Sequence, residues 1–152
     1  MTRRRKIVIT ICTILIGIQF VQPVRNQSGQ VETGNAIHIP ITVERIFQRS
    51  CYDCHSNNSN YPFYTYIQPV GWLMNYHIQN GKKELNFDEF WSYTQRRQGN
   101  KLNAIMHQIQ DKEMPLSSYT FIHKNAILTD EERGIIINWA SHVKDSISNL
   151  DN

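Results

Sequence analysis

Cysteine is scarce in this chain, with three residues in 152, and one of them, Cys12, falls inside an apolar run. Any chemistry carried by sulfur in the remainder therefore rests on Cys51 and Cys54. Sustained period-two alternation of apolar and polar residues is missing, which argues against a sheet. Internal repeats are missing, and low complexity is confined to a short Asn/Ser run at 56–60. A basic stripe is missing too. The formal charge of +3 comes from sixteen Lys and Arg against thirteen Asp and Glu, but Arg3, Arg4, Arg5 and Lys6 supply four of the cations. Without them the balance is about −1, so nothing in the charge pattern suits a nucleic-acid partner.

What is present begins with "MTRRRKIVITICTILIGIQFVQPV". Four cations precede an apolar run from Ile7 to Phe20, the pattern of an export segment. Gln19, Phe20, Gln22 and Pro23 make a poor cleavage site, so the sequence favours an uncleaved N-terminal membrane helix, with removal near 21–28 as the alternative. Cys12 follows Ile11 rather than the small residue a lipid-attachment site would want, and reads as an apolar filler. Residues 1–24 are thus expected to be a signal or anchor, and the polar stretch 25–39 a flexible tether. A folded domain is expected over 40–148.

Within that domain apolar residues recur at helical spacing. Val43, Ile46, Phe47, Cys51 and Cys54 share one face, with Thr42 a candidate N-cap after Pro40. Val70, Leu73, Met74 and His77 form a second stripe ending near Gly81, and Leu102, Ile105, Met106 and Ile109 a third, ending before Pro115. Thr129 and Glu132 open the last helix as a capping box, and Ile135, Ile136, Trp139, Val143 and Ile147 line its inner side. A short helix is predicted around Asp88–Gln95. The fold class is all-α, with a modest core that a large apolar cofactor between the helices would enlarge.

The segment "CYDCHSNNSNYP" admits three readings. A structural zinc site needs four ligands, usually as two Cys/His pairs, whereas His38, His77, His107, His123 and His142 are scattered singly. A redox or bridged pair fits an exported chain, but a catalytic Cys-x-x-Cys normally follows a strand, and none precedes this one. Covalent haem attachment explains more. Two sulfurs at i and i+3 reach the two vinyl groups of one porphyrin, and the histidine that follows, His55, falls beneath the iron as axial ligand.

A second axial donor is expected from Met114 in "DKEMPLSSY", because Pro115 holds the residue before it out of helical geometry. A thioether there raises the reduction potential relative to a second imidazole. His77 is the rival, His123 a weaker one, and an open or water-bound iron the remaining alternative. Met74 and Met106 read as core. A carbonyl near Tyr61–Pro62 or Pro69 is expected to fix the other nitrogen of His55. Tyr61, Tyr64, Trp72, Tyr119 and Trp139 are candidates to shield a porphyrin or bond its propionates, with ordinary core packing as the alternative for each.

Taken together, "SCYDCHSNNSNYPFYTYIQPVGW", "LNFDEFW", "KEMPLSSYTFIHKNAILTDEER" and "INWA" resemble the haem-binding-domain family of bacterial exported c-type cytochromes. The similarity runs from about Arg45 to Val143, and "YPFY", "QPVGW" and "LNF" are its more specific parts. The resemblance implies a monohaem, cytochrome c-like helical domain behind an N-terminal membrane segment. By the same resemblance Cys51 and Cys54 are the thioether positions, His55 the proximal iron ligand and Met114 the distal one. The expected function is electron transfer on the periplasmic side of the bacterial cytoplasmic membrane, with redox proteins as partners, haem c as cofactor and no catalytic residue. A haem-based sensor or peroxidase-like enzyme with an open distal site, using His77 or His123 as acid–base group, is the alternative.

Overall fold

A computed structural model describes residues 1–28 and 34–149. Among them there are seven α-helices joined by short 3-10 turns, and no strand. The helices are α1 (Arg3–Gly17), α2 (Ile41–Ser50), α3 (Tyr52–His55), α4 (Val70–Glu84), α5 (Gln95–Gln110), α6 (Ser117–Ile122) and α7 (Asp130–Ser148). The all-α expectation holds.

The core lies where α5 and α7 pack lengthwise and α2 crosses them. Leu102, Ile105 and Ile109 of α5 face Ile136, Trp139 and Ala140 of α7. Phe47 sits between the rings of Phe87, 4.9 Å away, and Trp139, 5.3 Å away. The predicted stripes of these helices are the buried ones, and the capping box of α7 forms as expected, with Thr129 and Glu132 exchanging hydrogen bonds.

Elsewhere the structure corrects the sequence. Thr42 lies inside the first turn of α2, which starts from Pro40 without a side-chain cap. The buried face of α4 is Gly71, Met74 and Ile78, while Val70 and Leu73 point outward, and the helix runs through Gly81 to Glu84. Gly81 is there for close packing: a Cβ on it would lie 2.7 Å from the Cys54 carbonyl oxygen. The short helix predicted over 88–95 is a 3-10 turn at Phe87–Ser92, after which Thr94 caps α5. Helix α5 stops at Gln110, earlier than Pro115 requires. Lys112 takes a positive φ of 59°, and the Glu113 and Lys112 N–H groups bond back to Gln108 and Ile109, a Schellman ending without glycine. Helix α6 was not expected.

The N-terminal segment also differs. Helix α1 has 15 residues, about 22 Å at 1.5 Å per residue, against a hydrocarbon thickness of about 30 Å. No helix among the described residues is long and apolar enough to cross a membrane, so the expected membrane-spanning helix is not found. None of its residues is buried, and Cys12, expected to be a filler, is exposed. The expected tether 25–39 includes 29–33, which lie outside the described residues. Its neighbours are docked on the domain. Arg25 stacks on the rings of Tyr61 and Tyr66 at 4.5 and 4.0 Å, buried Asn26 bonds Ser56 and Ser59, and Ile37 enters the core.

Candidate functional site

The segment carrying the cysteine pair is shaped by a break in the helix. At Cys51 the backbone leaves helical values (φ −130°, ψ −43°), and α3 restarts as a single turn. The Cys51 carbonyl accepts from both Cys54 N–H (3.1 Å) and His55 N–H (3.0 Å), which keeps the i, i+3 relation of the two sulfurs. Just upstream, Ser50 Oγ donates to the Ala126 carbonyl at 3.1 Å, and Arg49 pairs with Glu132 and bonds the Asn125 carbonyl. The end of α2 is thereby fastened to the start of α7.

Two adjoining cavities of about 170 and 380 Å³ open beside this turn. They share Ser50, Cys51, His55, Glu84, Met114 and Pro115, and so form one cleft between α2–α3, α4, α5 and the loop after α5. Cys54, His77 and Tyr119 line the smaller part; Phe87, Lys101 and Ile105 line the larger. The four residues singled out from the sequence, Cys51, Cys54, His55 and Met114, are therefore brought together. Met114 lines both parts, as His55 does, whereas His77 lines only one. The Met114–Pro115 peptide is cis.

His55 Nδ1 lies 2.9 Å from the Leu85 carbonyl oxygen. A carbonyl can only accept, so Nδ1 carries the proton and Nε2 keeps its lone pair. Burial holds the imidazole below its ordinary pKa, outweighing the bonds to Leu85 and Gly81, and the ring meets Phe87 edge-on at 6.3 Å. The partner carbonyl was expected near Tyr61–Pro62 or Pro69. It comes from Leu85 because α4 runs one turn beyond Gly81 and delivers the chain beside His55.

Cys51 and Cys54 are unpaired thiols. Burial, reinforced by Cys54, pushes Cys51 up to about 12 despite Arg49, and burial with Asp53 does the same for Cys54. Among the described residues no three His, Cys, Asp or Glu side chains are grouped to hold a metal.

Residues that sequence reasoning missed lie around the cleft. Asp53 accepts from the Tyr119 hydroxyl at 2.7 Å and from Asn60 N–H at 3.0 Å, pinning α6 and the following turn to α3. Lys101 reaches Glu84 at 3.3 Å at the cleft edge. Tyr119 and Tyr64 line cavities, but Trp139 is core, Trp72 faces outward, and Tyr61 holds Asn26 N–H. His123 bonds the Tyr64 hydroxyl at 2.5 Å beside a further cavity of about 80 Å³, which adjoins the cleft at Cys54, His77, Leu116 and Tyr119, and lines neither of the two larger parts. His38, His107 and His142 do not line it either.

A family model described as a haem-binding domain matches residues 13–142. The chain belongs to the haem-binding domain family. Cytochrome c peroxidase Ccp of Escherichia coli (strain K12) is 30% identical over 95 residues, 60% of this chain. The chain spans only 20% of the length of that relative. No solved structure matches it. As a haem-binding domain the chain needs an apolar slot with iron donors, and the cleft fits: its walls are largely apolar, and it offers an imidazole with one nitrogen anchored, a thioether and two unpaired thiols.

Proposed function

We propose that this haem-binding domain is a monohaem c-type electron carrier. Cys51 and Cys54 would hold the porphyrin by thioether bonds, His55 Nε2 and the Met114 sulfur would ligate its iron, and no residue is catalytic. It is held at the outer face of a bacterial cytoplasmic membrane by its N-terminal segment and exchanges electrons with redox proteins there. The observation that carries this reading is the convergence of the two unpaired thiols, the anchored His55 and Met114 on one cleft. The haem supplies a one-electron iron couple when bound. The chain's own residues do the rest. Leu85 fixes the His55 tautomer and raises its basicity as a ligand, the apolar walls keep water away, and Met114 favours the reduced iron.

The protein, made in a host that matures c-type cytochromes and then purified, should give an alkaline pyridine spectrum of one thioether-linked haem. Its denatured mass should exceed that of the polypeptide by one haem. A colourless product at the polypeptide mass refutes the proposal, and a haem that dissociates on denaturation refutes its covalent part.

Two observations favour a second reading, a peroxidase-like domain with a displaceable distal position: the similarity to a cytochrome c peroxidase, and His77 on the cleft wall. Carbon monoxide binding to the ferrous protein and turnover of hydrogen peroxide distinguish the two. The electron carrier should show neither.

A further inference from the structure

We infer that the face made by the turn at Phe63–Ile67 and the first two turns of α4 rests on the lipid surface that also takes up α1, fixing the orientation of the haem cleft to the membrane. The inference builds on the membrane location proposed above and adds a docking face on the domain itself.

Two features meet on this face. From Cys54 to Gly81 the chain contains no Asp, Glu, Lys or Arg, although 19% of the whole is charged. Within that stretch several large apolar side chains are out in solvent: Phe63 is 80% exposed, Tyr76 63%, and Ile67 and Leu73 53% each. On α4, Trp72, Leu73 and Tyr76 lie on the side opposite the buried Gly71, Met74 and Ile78. Contiguous exposed apolar surface of this kind marks an interaction site rather than ordinary scatter.

The occupant is identified by what is bonded to the same face. Gln19, at the end of the N-terminal helical segment, bonds both backbone groups of Gln68, at 2.9 and 3.2 Å. Trp72 Nε1 donates to the Val21 carbonyl at 2.8 Å, and Gln22 Nε2 to that of Tyr66 at 3.3 Å. The chain that leaves this platform is α1, which buries no residue against the protein and carries apolar side chains all round. A helix apolar on every side needs an apolar surrounding, and α1 has none within the domain. Its only cations, Arg3 to Lys6, are at the far end, where they complement anionic headgroups. Trp72 and Tyr76 beside exposed apolar side chains, with Arg25 stacked on Tyr66 at the margin, suit the boundary between lipid and water, where aromatic and cationic side chains gather. A lipid surface accounts for both the helix and the platform.

The test uses the full-length haem-loaded protein in phosphatidylcholine–phosphatidylglycerol vesicles carrying a phospholipid with a photoactivatable acyl chain, with adducts mapped by peptide mass spectrometry. Adducts are expected on residues 1–20 and on 63–76. The double variant Ile67→Asp, Leu73→Asp should keep its visible spectrum and its α1 adducts but lose those on 63–76. Adducts confined to 1–20 overturn the docking face while leaving the membrane location standing. Adducts nowhere overturn the location itself. Adducts on 63–76 that persist in the double variant, or cross-links joining that segment in two copies, also overturn the inference.

Discussion

Replacing Gly81 by alanine should loosen the fit between α4 and the cysteine turn, and the size of the effect can be worked from the structure. The added Cβ would lie 2.7 Å from the Cys54 carbonyl oxygen and 3.1 Å from the Cys54 Cβ, where ordinary contact begins at 3.4 Å. The nearest atom belongs to backbone, so relief requires the two segments to part. Overpacking of this kind costs about 1–3 kcal/mol, offset by about 1 kcal/mol of improved helix propensity. The net loss is about 1 kcal/mol. Gly99 in α5 and Gly134 in α7 serve as controls, because a Cβ on either meets nothing within 4 Å. There the same substitution should stabilise by about 0.5–1 kcal/mol. The separation of nearly 2 kcal/mol corresponds to about 8 °C in Tm for a domain of this size. Thermal unfolding of the three haem-loaded variants, followed by circular dichroism, measures it. If all three shift Tm in the same direction by similar amounts, the close approach of Gly81 to Cys54 is wrong.

Other perturbations have equally definite outcomes. Met114→Ala should lower the reduction potential and allow the ferrous protein to bind carbon monoxide, read by spectroelectrochemistry and difference spectra, while Met106→Ala should do neither. Thr129→Ala removes one half of the capping box and should cost about 1 kcal/mol in denaturant unfolding. Glu132 is raised by partial burial, but its bonds with Thr129 and Arg49 outweigh that and hold its carboxyl below the ordinary value of 4.5. A depressed carboxylate contributes stability above its unfolded-state pKa and loses it as pH falls through the folded one. Glu132→Gln should therefore flatten the decline in Tm below about pH 4.5, measured against the unaltered protein.

The all-α class, the stripes of α5 and α7 and the four residues facing the cleft were legible because each rests on local spacing. Capping boxes, Cys-x-x-Cys-His and Met-Pro are short patterns whose physics is complete within a few residues. What was not legible depends on contacts between distant segments. Gly81 looks like a helix end until Cys54 is seen against it. Leu85 supplies a carbonyl, which carries no sequence signature. Lys112 ends α5 in the left-handed region without glycine. Arg25–Ser28 reads as linker because its partners, Tyr61, Tyr66, Ser56 and Ser59, lie some thirty to forty residues on. The second stripe was misread for a related reason: Val70 and Leu73 are apolar yet exposed, and apolar spacing alone cannot say which side faces the core.

The clamp between Ser50 and Ala126 spans 76 residues of chain, and that between Arg49 and Glu132 spans 83. A polypeptide emerging from its N-terminus presents the cysteine turn long before residues 125–132 arrive to lock it. The walls of the cleft around the two thiols, drawn from residues 77–119, are made before that lock closes. Synthesis thus delivers the sulfur-bearing turn and its walls first, and fastens the end of α2 to the last helix afterwards.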